Sequence, residues 1–179
     1  MRKLIIGAVT AVALLGAPAA AGAATAAPLV RTPVTDPLGS GSPNGSITLP
    51  ANQYCVFPVG VAVVTNNEFQ DVTTLADGTV VQKITGNLVL SFKNDTTGKT
   101  IEKNVSGPSA MTIPPAGNVT FRGQGLNWLA FGPNGRANTK EPGLVFTSGL
   151  VTVMINRANG TAQSFSLNGT QANGCTLLS

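Results

Sequence analysis

Three carboxylates within ten positions, Glu68, Asp71 and Asp77, are the first candidates for acid–base chemistry in this chain of 179 residues. Glycoside hydrolysis needs two such groups about 5–10 Å apart. Glu68 and Asp71 differ by an odd number of positions, so on a strand they point to opposite faces. Asp77 precedes Gly78 and belongs to a turn. The three therefore read as solvated edge and turn charges. Histidine is absent, which removes the commonest general base and metal ligand together. Two cysteines without histidine do not complete a structural zinc site. No Gly-x-Ser-x-Gly elbow occurs, and no Ser-His-Asp triad can form. The expectation is a non-enzymatic protein with no cofactor and no metal site. The competing class is a hydrolase with a carboxylate or Ser–Lys site that no motif announces.

Binding chemistry has one conspicuous candidate segment, Gly123–Gly143. Leu126, Trp128 and Ala130 share one strand parity, and Leu129 and Phe131 share the other. A segment apolar on both faces is either fully buried or partly exposed for binding. Core packing is the expected role of Trp128, and a ligand or partner anchor is its functional alternative. The polar stretch Gly132–Gly143 carries Arg136, Lys140 and Glu141, and long loops in small domains are often functional. Trp128, Phe131, Arg136 and Lys140 together form the candidate ligand or partner surface. Arg136 or Lys140 would also suit the cleavage-mimic position of a protease inhibitor, although no cysteine flanks the loop to stiffen it.

The elements that must position these residues begin after an export signal. Arg2-Lys3 is followed by the apolar run Leu4–Leu15 and the small-residue stretch Ala19–Ala27, the three parts of a secretory leader. Residues 1–26 are expected to be the signal peptide, with cleavage after Ala26, and the mature protein is expected outside the cell without a membrane span. The chain carries 11 basic and 7 acidic residues; loss of Arg2 and Lys3 leaves 9 against 7. No basic stripe is present, so nucleic-acid binding is not expected. Export makes a disulfide the default for Cys55 and Cys175.

Residues 27–46 are rich in Pro, Gly and Ser without periodicity and read as a flexible arm. Residues 47–179 read as one β domain. Tyr54–Val64 alternates as a strand, with Cys55, Phe57, Val59, Val61 and Val63 on its heavy face. Shorter alternating segments follow at Thr79–Thr85, Asn87–Lys93, Thr100–Ser106, Asn118–Arg122, Gly149–Arg157 and Thr161–Leu167. Asp77-Gly78, Asn159-Gly160 and Asn168-Gly169 are hairpin signals between them. No segment has a helical period. An antiparallel meander leaves two open edges, and joining its first strand to its last by Cys55–Cys175 would remove them. The expected architecture is an up-and-down barrel or a curled β-sandwich, with a Greek-key sandwich as the alternative.

Cys55-Val-Phe-Pro-Val, Ile84-Thr-Gly-Asn-Leu88, Asn94–Lys99, Asn104-Val-Ser-Gly-Pro108, Pro142-Gly-Leu, Thr147-Ser-Gly, Val151-Thr-Val153 and a terminal Cys175 occur in that order. The order resembles a group of small exported actinobacterial proteins with a single disulfide, over about Gln53 to Leu178. The resemblance implies bacterial export and a β domain and brings no activity, cofactor or catalytic residue with it. The combined expectation is a secreted, monomeric, envelope-associated or binding protein. It would take a small apolar ligand in its interior or a protein partner at the rim around Trp128.

Overall fold

The computed structural model describes residues 31–132 and 143–179, together with the backbone of Ile5–Ile6. Its elements are β1 (Ile5–Ile6), β2 (Arg31–Pro33), β3 (Ser46–Leu49), β4 (Val59–Thr74), β5 (Val80–Asn94), β6 (Thr100–Asn104), β7 (Ser109–Ile113), β8 (Val119–Ala130), β9 (Leu144–Ile155), β10 (Ala162–Asn173) and α1 (Gly174–Leu178). The sheet runs β10-β9-β8-β7-β5-β4-β2, with β1 on β8, β3 on β4 and β6 on β5, and every pairing is antiparallel. The all-β meander expected from the alternation is therefore present. The expected barrel is not, because β2 and β10 lie at opposite ends of an open sheet.

Turn chemistry sets the registers. Asp77 accepts from the Thr79 N–H through its side chain, and Gly78 N–H donates to Leu75 O, closing the β4–β5 hairpin. Gly160 N–H donates to Asn156 O in the β9–β10 hairpin. Asn168-Gly169, expected as a third turn, lies instead inside β10. Likewise the two segments expected on either side of Gly86 are one strand, β5. β6 and β7 hold the same register on β5, Lys93↔Thr100 through Ile84↔Ser109, with the Val105 N–H to Leu88 O bond between them. They are one strand interrupted at 105–108.

The unexpected glycines explain why the sheet stays open. Gly125 pairs with Gly149, which pairs with Gly169, and the β5–β7 and β7–β8 registers carried two steps further bring Gly107 and Gly86 into the same row. In β9 this row separates Phe146 from Val153. Phe131 lies level with Gly143, to whose carbonyl its N–H donates, and Phe165 lies level with Val153. Ten residues of flat strand would hold those levels about 33 Å apart. The Phe131 and Phe165 rings nonetheless meet edge-to-face at 5.9 Å. The sheet is therefore folded over at the glycine row, and folding buries its apolar face without barrel closure.

Two cores result. Val59, Val61, Leu88, Leu90 and Phe92 of β4–β5 pack against Trp128, Ala130, Leu144 and Phe146 of β8–β9. The Phe92 ring meets Trp128 at 5.5 Å and Phe146 at 4.9 Å, both edge-to-face, a geometry that aromatic quadrupoles favour. Phe121, Leu129, Phe131, Val145, Val151 and Val153 form the second core. The sandwich-like half is fastened by the Cys55–Cys175 disulfide, whose Cα atoms are 5.4 Å apart. Neither cysteine is on a strand: Cys55 lies in the turn before β4, and Cys175 in α1, which Asn173 caps by accepting from the Cys175 and Thr176 N–H groups. The strand expected over Tyr54–Val64 thus starts at Val59 because Pro58 and the turn at 51–57 precede it.

Of the stretch expected as a flexible arm, residues 31–46 lie against the domain. β2 pairs with β4, Val34 and Leu38 are buried, and the Asp36 carboxylate accepts from the Ser40 and Gly41 N–H groups.

Candidate functional site

Trp128 is 2% exposed and Phe131 is fully buried. Both are core residues, so the described part of the expected Trp128 rim offers no exposed aromatic anchor. Arg136 and Lys140 lie outside the described residues. The carboxylates do not converge. Glu68 faces inward from β4, Asp71 lies on the other face, Asp77 is held in its turn, and Glu102 sits on β6 opposite Ser91. Among the described residues, no cluster of three or more Cys, Asp or Glu could hold a metal ion.

Two of the clefts on the described surface bear on function. The larger, about 410 Å³, has the disulfide in its wall and is lined by Asn52–Phe57, Gly143, Asn173, Thr176 and Ser179. Among the described residues, no charged side chain lines it. The second, about 310 Å³, lies across β5, β7 and β8 on the outer face of the sheet. Lys83 and Arg122 flank it, Pro108, Ala110 and Leu150 give it apolar lining, and Thr85 and Gln124 add polar groups, while the Ser109 side chain belongs to the opposite face of β7.

Register builds this second site. The β4–β5 hairpin places Asp71 opposite Lys83, and successive pairings extend the row to Ala110, Arg122, Thr152 and Ser166. Directly paired residues share a face, so Arg31, which pairs with Asp71, joins them. Lys83 and Arg122 stand two strands apart, about 9.5 Å at the usual spacing, with the small Ala110 between them leaving the cleft open. Both are exposed, and neither has a hydrogen bond or ion pair among the described residues. Arg31, by contrast, is engaged: its guanidinium lies 4.6 Å from the Phe69 ring centroid and donates to Thr85 Oγ1 at 3.5 Å. The cleft is therefore a shallow apolar trough with an exposed cation on each bank. It can hold an anion between the banks and an apolar surface on the floor.

Sequence reasoning did not find this pair, because Lys83 and Arg122 are 39 positions apart on different strands. One signal was available: a hairpin centred on Asp77 already puts Asp71 opposite Lys83. The fold and site together describe an all-β protein with a folded-over antiparallel sheet and a cationic cleft on its outer face. Comparison of the chain with protein-family models, with curated proteins and with solved structures finds no match.

Proposed function

We propose that the protein is an exported, non-enzymatic binding module that holds an acidic polysaccharide in the Lys83–Arg122 cleft. The observation that carries this reading is the pair of unpaired cations flanking an apolar floor. A uronic-acid ring has the matching chemistry: a carboxylate for the two cations, a C–H face for Ala110 and Leu150, and hydroxyls for Thr85 and Gln124. Asp71 borders Lys83 on the far side and repels an anion there, so the ligand extends from Lys83 toward Arg122. The apolar leader and the Cys55–Cys175 bridge, favoured in oxidising compartments, support export. The dispersed carboxylates support a binding role over hydrolysis. The interior enclosed by the folded sheet, expected to take a small apolar ligand, is occupied at the level of Phe92 by the ring contacts with Trp128 and Phe146.

Calorimetric titration with polygalacturonate tests the reading. Wild-type protein binds it and does not bind neutral dextran, and Lys83→Ala/Arg122→Ala weakens binding at least about tenfold, as loss of two charge-assisted contacts requires. Equal affinity of the double variant, or no binding by wild type, contradicts the proposal.

A further inference from the structure

The interruption at 105–108 splits the sheet and creates two strand edges. β8 is hydrogen-bonded to β9 along its whole length, but on its other side it follows β7 only as far as the Gly107 N–H to Leu126 O bond. Beyond that point the neighbouring strand, as β6, stays on β5. The β6 edge is five residues long and carries Glu102 and Lys103, which are the charges that guard an edge against foreign strands. The β8 edge reads Leu126-Asn-Trp-Leu-Ala-Phe131, with no charge, proline or glycine. An unguarded apolar edge of this kind is a template for another strand.

That template is occupied. Ile5 pairs with Ala130 and Ile6 with Leu129, antiparallel. Leu126 directs its carbonyl to this side, and strand alternation directs the N–H and C=O groups of Trp128 and Ala130 the same way, while Asn127 and Leu129 serve β9. Trp128, Leu129 and Ala130 are all buried, from both faces of the strand. A strand added here continues two apolar layers and must itself be apolar at consecutive positions. Ile5 and Ile6, the residues paired there, meet that requirement by type.

We propose that the Trp128–Ala130 edge of β8 is a strand-acceptor site for an extended apolar peptide, filled in the full chain by its own Ile5–Ile6. Main-chain hydrogen bonds supply the affinity and the apolar layers the selectivity, as in other cases of strand addition. The site does not depend on the Lys83–Arg122 cleft. Removal of the N-terminal segment would leave it open.

Amide hydrogen exchange on the full chain reads the site directly. In the wild-type chain the Trp128 and Ala130 amides, which face the added strand, are protected as well as those of Asn127 and Leu129. Fast exchange of the first pair alone overturns the proposal without any variant. In the full chain carrying Ile5→Pro and Ile6→Pro, the Trp128 and Ala130 amides exchange about tenfold faster or more, and those of Asn127 and Leu129 do not change. A synthetic peptide of residues 4–15 restores protection to that variant, and the same peptide with both isoleucines replaced by proline does not. Equal protection by both peptides would mean apolar adhesion without strand pairing, and would also overturn it.

Discussion

A carboxyl that is 4% exposed with one oxygen lacking a hydrogen-bond partner, as Glu68 is, is held in its neutral form by the cost of burying charge. Burial raises the Glu68 pKa from 4.5 to about 7. Because the folded value lies above the unfolded one, the fold binds the proton more tightly. The associated stability is complete below pH 4.5 and is lost as pH rises through about 7. The displacement corresponds to about 3 kcal/mol. Glu68→Gln keeps the shape without the charge, so its thermal midpoint should change little between about pH 5 and 8, where the wild-type midpoint falls. Parallel curves for the two proteins would show that folding does not raise the Glu68 pKa. By type and spacing Glu68 is a candidate for acid–base catalysis. Strand parity separated it correctly from Asp71, but its burial depended on packing with β5 and the 31–46 segment, which local pattern does not encode.

At the scale of elements, the glycine row is the device that folds the sheet. A Cβ at Gly149, where φ is +121°, would stand 2.3 Å from Asn168 O and 2.8 Å from Gly169 Cα, both backbone atoms that cannot yield locally. Gly149→Ala should cost at least about 2–3 kcal/mol from the combined backbone strain and clash, read as a lower denaturant midpoint. A midpoint equal to wild type would mean that the bend does not need glycine there. The same row shows where local reading stops. Asp77-Gly78 and Asn159-Gly160 were legible as turns because their hydrogen bonds close within a few residues. Asn168-Gly169 has the same composition but serves cross-strand approach to Gly149, so its role exists only in register with its neighbours. The apolar character of Trp128–Phe131 on both faces was also legible, and it corresponds to burial in two different cores, whereas Leu126 is exposed.

For the whole molecule, the cysteine pair was the most informative long-range signal in the sequence. It ties the two ends of the meander across 120 positions, but it joins a turn to a helix and leaves the sheet open. Chain-entropy reasoning gives such a loop about 4–5 kcal/mol. Cys55→Ser/Cys175→Ser should therefore lower unfolding free energy by several kcal/mol; a loss below about 1 kcal/mol would show that the two ends are held by packing alone. The five-residue α1 was not legible, since a single capped turn has no period to detect. The cationic cleft was hidden for a related reason. Lys83 and Arg122 are brought together through β7, by two registers that only the complete sheet defines. The most direct test of the proposed role is to map backbone amide shifts during titration with a short polygalacturonate oligomer. The account predicts the largest shifts at Lys83, Ser109, Ala110, Arg122 and Leu150, saturating together. Shifts centred on Asn52–Phe57 and Thr176, around the disulfide cleft, or no shifts at all, would contradict it.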